Sequence, residues 1–130
     1  MASTVTTTDL RLDKSRRAKL YVTGETAVDG STTTIMDAID VAEFNRFSVQ
    51  IFNSDGAVAG TVKVWGSIKD PATVGGANWT QIGDDITVNA SSNALKAIST
   101  TPVRWLSINA VRVGGANDAN LTCYVYAQQV

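Results

Sequence analysis

VRWLSINAVRVGGANDANLTCYVYAQ, residues 103–128, reads as two β-strands around a Gly-rich turn. Successive side chains of a strand point to opposite faces, so every second residue shares a face. In the second strand Leu121, Cys123, Val125 and Ala127 fall on one face, and Thr122, Tyr124, Tyr126 and Gln128 on the other. The apolar set is a core face. The first strand is less regular. Leu106, Ile108 and Ala110 share a face opposite Trp105 and Ser107, yet Val111 and Val113 land on the opposite parity. A β-bulge near Asn109–Val111 would return both valines to a single inner face. The paired glycines suit a turn, because glycine reaches positive φ without steric cost.

The same period of two recurs upstream. In RFSVQIFNS (46–54), Phe47, Val49 and Ile51 oppose Ser48, Gln50 and Phe52. In TVKVWGSIKD (61–70), Val62, Val64 and Ile68 oppose Lys63, Trp65 and Ser67. KLYVTGETAV (19–28) and TTTIMDAID (32–40) are two earlier strands, separated by the turn signal DGS. VAEFN (41–45) reads as a connection or a short helical turn, with two short strands expected near Trp79–Ile82 and Ile86–Val88. KAIST (96–100) is placed at a sheet edge. No stretch carries a helical apolar stripe longer than two turns. Short strands with Gly-rich turns predict an all-β fold, an antiparallel β-sandwich. Strand spacing alone suits a jelly roll and an immunoglobulin-like sandwich equally. VGGAN occurs at 74–78 and at 113–117 with unlike flanks, which marks two loops of similar shape rather than a repeat.

A chain of 130 residues suits one domain. Its charge is sparse, at 18% of residues and −1 net, but unevenly placed. Arg11, Lys14, Arg16, Arg17 and Lys19 face only Asp9 and Asp13 in the first twenty residues. Residues 1–18 therefore read as an extended, basic N-terminal arm, and 19–130 as the sandwich domain. A mildly acidic body with such an arm does not fit a nucleic-acid-binding domain. No apolar run reaches the length of a membrane span, so no membrane partner is expected.

The chemistry expected of the chain is equally sparse. It has no histidine, which removes the commonest general base, the Ser-His-Asp arrangement and most zinc patterns. Cys123, the single cysteine, lies on an inner parity as a small apolar residue. Asp84 and Asp85 fall short of the six or more oxygens that calcium takes. Other carboxylates stand beside turn residues, as in Asp29-Gly30 and Asp55-Gly56. No catalytic, metal-binding or cofactor-binding residue is assigned, and no enzyme is expected. What stands out is aromatic: Trp65, Trp105, Tyr124 and Tyr126 take outward parities, joined by Phe52 if its strand runs straight. Large rings on the outside of a sandwich need cover, from the chain's own loops, from the arm or from another subunit. These four aromatics, with Arg11, Lys14, Arg16 and Arg17, form the expected partner interface.

FSVQIFNSDGAVAGTVKVWGSI (47–68), NWTQIGDDITVNASS (78–92) and TPVRWLSINAVRVGGANDANLTCYVYAQ (101–128) together resemble small virion proteins of tailed bacteriophages. The resemblance covers roughly residues 45–130 and rests on the order of strands and turns, not on a catalytic fingerprint. It implies a jelly-roll sandwich and a structural role: a head-decoration, or cement, protein that binds the outside of the capsid and stabilises it. The implied partners are the major capsid protein and further copies of the chain, as a homodimer or homotrimer. The implied location is the virion surface after synthesis in the host cytoplasm, since the N-terminus lacks the apolar core of a secretory signal. The alternative is a carbohydrate-binding or adhesion module of a tail fibre, with exposed Trp and Tyr stacking on sugar rings. A sugar site needs aromatics clustered with Asp, Asn or Arg in one groove; a protein interface needs a broad apolar patch.

Overall fold

A computed structural model describes residues 5–11, 17–69, 77–98, 102–115 and 117–129. Eleven strands form among them: β1 (Thr6–Arg11), β2 (Arg17–Val22), β3 (Thr26–Val28), β4 (Thr33–Asp40), β5 (Arg46–Asn53), β6 (Ala59–Ser67), β7 (Thr80–Gln81), β8 (Ile86–Val88), β9 (Ser92–Ile98), β10 (Trp105–Val113) and β11 (Ala119–Gln128). They build two antiparallel sheets packed face to face. The six-stranded sheet runs β1-β2-β11-β5-β9, with β3 also on β11; the five-stranded sheet runs β4-β10-β6-β7, with β8 also on β6.

The pairings nest. β2 and β3 pair with β11, β4 with β10, β5 with β9, and β6 with β7 and β8. One long hairpin, wound so that successive layers alternate between the sheets, has this connectivity, and it is the jelly roll. The all-β sandwich read from alternation is borne out. KLYVTGETAV is two strands rather than one. Two residues of β11 stand opposite three of the 23–25 connection, since Tyr124 pairs with Val22 but Leu121 with Thr26. Thr23 holds the break: its N–H donates to the Cys123 carbonyl and its Oγ1 accepts from the Cys123 N–H, both at 3.0 Å.

The core lies between the sheets. Val49 and Ile51 of β5 and Leu121, Cys123 and Val125 of β11 face Val62 and Val64 of β6 and Leu106 and Ile108 of β10, all essentially inaccessible. Burying each such Val, Leu or Ile contributes about 1.5–3 kcal/mol. Tyr21 of β2 also points inward, and its hydroxyl donates to the Asp40 carbonyl of β4 at 3.1 Å, tying one sheet to the other. Burial, with the nearby carboxylates of Glu43 and Asp40, pushes its phenol up to about 12.

The bulge expected in β10 is elsewhere. β10 pairs with β6 without a break from Trp105 opposite Ser67 to Val113 opposite Ala59. The register shifts lie against β4, where Leu106 pairs with Ile39, Ile108 with Met36 and Asn109 with Thr34. The extra residues belong to β4, which turns consecutive Ile35 and Met36 both into the core. An edge strand can absorb such a kink; a central strand laddered on both sides cannot. Val111 and Val113 accordingly stay on the outer face. Ser107 and Asn109, also outward on β10, are buried, and the Ser107 hydroxyl donates to the Met36 carbonyl at the bulge. At the end of β6 the expected parity also fails: Ser67 is buried and Ile68 is exposed.

The described part of the N-terminal segment belongs to the six-stranded sheet. Residues 6–11 are β1, laddered to β2 from Thr6 opposite Val22 to Arg11 opposite Arg17. Ala18 is buried, so the sequence-based boundary at residue 18 runs through β2.

Candidate interaction surface

The two outer faces of the sandwich differ in kind. On the five-stranded sheet, the outward charged groups Lys63 and Arg104 find partners at home, whereas Trp65 Nε1 and Asn109 Oδ1 are buried without a hydrogen bond. Lys63 Nζ lies 3.4 Å from the Asp85 carboxylate, which also accepts from Gln81 Nε2 at 2.7 Å. The Gln81 amide and the Lys63 ammonium hold the Asp85 carboxyl below its ordinary range. Arg104 reaches Asp40 Oδ2 at 3.3 Å and lies over the Trp105 ring, 5.0 Å from its centroid. Trp65 and Trp105 both sit on this face, half-buried, as diagonal neighbours across the β6–β10 ladder.

The outer face of the six-stranded sheet is almost free of charge. The β5–β11 register sets Ser48 beside Tyr126, Gln50 beside Tyr124 and Phe52 beside Thr122. On the β2 side Tyr126 neighbours Leu20 and Tyr124 neighbours Val22; beyond them β1 places Thr8 and Thr6. On the β9 side Leu95 lies beside Gln50 and Asn93 beside Phe52. These residues share the face because the ladder keeps parity from β1 to β9. Phe52 and Tyr124 pack edge to face, with ring centroids 5.5 Å apart and planes at 76°. The amide of Gln50 donates to Asn93 Oδ1 at 3.1 Å, so the central polar side chain is already engaged. A shallow groove of about 270 Å³ runs over Leu20, Ser48, Gln50, Phe52, Leu95, Tyr124 and Tyr126.

Large apolar side chains remain uncovered here. Leu10 is 38% exposed, Phe52 40% and Leu95 64%. Contiguous exposed apolar surface of this kind marks an interaction site more often than scattered single residues do. Among the described residues, charge on this face stands at its two ends. Arg46, paired with Gln128, is exposed at one. At the other, Glu25 reaches across the start of β11 to accept from Ser54 Oγ at 2.8 Å.

The structure thus divides the expected interface. Tyr124 and Tyr126 come together and Phe52 joins them, because β5 runs straight. Trp65 and Trp105 lie on the opposite side of the sandwich and are not part of that surface. Arg17 is not held out as a grip either: its guanidinium lies 2.7 Å from Glu43 Oε2 and 3.8 Å from Asp9 Oδ1 on the same chain. Lys14 and Arg16 lie outside the described residues, as does the side chain of Arg11. Leu10, Leu20, Leu95 and Glu25 were missed by sequence reasoning. A lone leucine at 95 amid polar residues of an edge strand was the available signal. Cys123 is fully buried, and burial pushes its thiol pKa well up. Among the described residues no three His, Cys, Asp or Glu side chains gather as a metal site would require.

No protein-family model matches the sequence, and no curated protein matches it. Solved structures share its fold. PirA superposes with a TM-score of 0.52 at 19% identity, over 79% of this chain and 90% of its own. A protein of the Bacillus endospore appendages, described as disulfide-linked pili, aligns over 100% of this chain and 95% of its own, at 12% identity and a TM-score of 0.51. A chain of the T13 IBDV viral particle aligns over 92% of this chain at 11% identity and a TM-score of 0.52. Only 35% of that viral chain takes part, so the present protein corresponds to about a third of it. At these identities the likeness is one of fold.

Proposed function

We propose that this protein is a non-enzymatic structural component of a tailed-phage virion, a decoration or cement protein that binds the outside of the capsid and stabilises it. Its partners are the major capsid protein and further copies of itself. The observation that carries the reading is the outer face of the six-stranded sheet, where Leu10, Leu20, Phe52, Leu95, Tyr124 and Tyr126 lie in a field without internal charge. Protein partners recognise such a field by excluding water from it, and aromatic side chains concentrate at the centres of such contacts. The fold is shared with a chain of a viral particle and with an appendage protein, which supports a role in building assemblies. The covalent linkage named for the pili does not carry over, since the one cysteine here is buried. Repeated sites on a lattice make even a modest contact per copy effective.

A sugar-binding role finds less support. Trp65 and Trp105 stand on the opposite side of the sandwich from Tyr124 and Tyr126, and the Arg104 guanidinium already occupies one face of the Trp105 indole.

The test is direct. Purified protein is mixed with expanded heads of the phage whose genome encodes it, and the heads are sedimented and then heated. The expected result is saturable binding at a fixed copy number per head, with DNA released at a higher temperature. Heads that sediment bare and release DNA at an unchanged temperature refute the reading.

A further inference from the structure

We infer that the outer face of the six-stranded sheet is covered by the same face of a second copy, the two related by a twofold axis lying in the sheet plane and perpendicular to the strands. The inference rests on the reading of this face as a protein-docking surface and names its occupant.

Charge placement argues for it. The middle of the face carries no charge, whereas Arg46 stands at one end and Glu25 at the other. Eight residues separate Arg46 from Ser54, the hydrogen-bond partner of Glu25, or about 27 Å at 3.4 Å per residue. A twofold axis across the strands sets the two copies antiparallel. Each Arg46 then meets the other copy's Glu25, and uncharged surface meets uncharged surface in between. A twofold axis along the strands would set like charges over each other at both ends, so the charge pattern selects between the two. Self-complementarity of this kind is what an isologous contact requires. Electrostatics at the margin fixes register more than it adds affinity.

Size agrees. Five strands at about 4.8 Å spacing give a width of about 24 Å, so the face offers at most about 650 Å² per copy and 1,300 Å² for the pair. That lies at the lower end of specific interfaces, which begin near about 1,200 Å². Two sheets stacked in this way pack at about 10 Å with strands within about 30° of alignment. The shallow groove over Ser48 and Gln50 between the rings of Phe52, Tyr124 and Tyr126 leaves room for a partner's side chains.

The experiment is sedimentation velocity of the full chain at about 1–100 µM, the range in which an interface of this size reports its dissociation constant. The variants are Glu25→Arg, Arg46→Glu, the two combined, and Leu95→Asp, each checked for an unchanged circular dichroism spectrum. A dimer is expected. Each single charge reversal should weaken it about tenfold, and the combination should restore it to within about twofold, because the pairs re-form with opposite sign. Leu95→Asp should leave a folded monomer. A wild-type chain that is monomeric throughout, or a trimer, overturns the inference, as does a double reversal no tighter than the singles. Head binding separates this failure from that of the wider reading: a monomer that still binds heads, and loses them through Leu95→Asp, shows the face docking on capsid protein instead of on a second copy.

Discussion

Asn53 is a sharp place to test how the two sheets are held in register, because it terminates β5 between Phe52 and Ser54 and is only 3% exposed. Its Nδ2 donates to the Val58 carbonyl at 2.7 Å and, at a longer 3.4 Å, to the Val88 carbonyl of β8. Its Oδ1 accepts from the Asp55 N–H at 3.0 Å and from the Asn120 N–H at 3.4 Å, where β11 begins. One amide thus joins the β5–β6 turn to strands of both sheets. The Asp55 carboxylate completes that turn by accepting from the N–H groups of Ala57 and Val58. Asn53→Ala strands two donors and two acceptors in a site with little room for water. Two short bonds at about 1 kcal/mol each and two long ones at about half that sum to a loss of about 3 kcal/mol. At this chain length that lowers the melting temperature by about 10 °C. Thermal and urea unfolding followed by circular dichroism measure both quantities. Asn53→Asp sharpens the test, since it keeps the acceptor but turns a carboxylate toward the Val58 and Val88 carbonyls. Its folded pKa should be raised above the unfolded value of about 3.9. The stability of that variant is then fullest at low pH and is lost as pH rises through the folded pKa. An Asn53→Ala loss under about 1 kcal/mol, or an Asn53→Asp variant whose stability ignores pH, would refute the view of this amide as the clasp between the sheets.

Three further outcomes are expected. A Cβ built on Gly66 lies 2.9 Å from Val103 Cγ1, so Gly66→Ala should cost about 1–3 kcal/mol in urea unfolding, and Val103→Ala in the same chain should recover part of it. Asp40 is held below the ordinary carboxylate range, first by the Ala42 N–H donating to Oδ1 at 3.0 Å and then by Arg104. Because its folded pKa is depressed, its contribution is present above about pH 3.9 and is lost as pH falls through the folded pKa; Asp40→Asn should flatten that limb of the urea-midpoint profile. The Cys123 thiol, buried and with its pKa raised, should resist a thiol reagent at pH 8 in the native protein and react at once in denaturant.

Much of the architecture was legible strand by strand. The alternation in 121–127 and 47–51 named inner faces that the structure buries, and the outward placing of Tyr124, Tyr126 and Phe52 holds. A period of two records which side of a strand is dry, and that information is local. The bulge was misplaced because parity reports a slip without saying which of two paired strands carries it. Val111 and Val113 look like a defect in β10, yet β4 across the ladder takes up the extra residues. The arm reading missed β1 because TTTDLR shows no apolar alternation: its one leucine, Leu10, is exposed, and the strand is held by backbone hydrogen bonds to β2. Such bonds leave no trace in side-chain pattern.

By itself, the sequence determined the fold class, the inner faces of β5 and β11 and the scarcity of reactive groups, since all three follow from residue type and spacing along one chain. Only the tertiary structure decided which outward residues share a surface. Parity separates inside from outside, but it cannot tell the outside of one sheet from the outside of the other. Strand pairing across long stretches of chain put Tyr124, Tyr126, Phe52 and Leu95 together and carried Trp65 and Trp105 to the far side. The interaction surface is a product of those non-local hydrogen bonds.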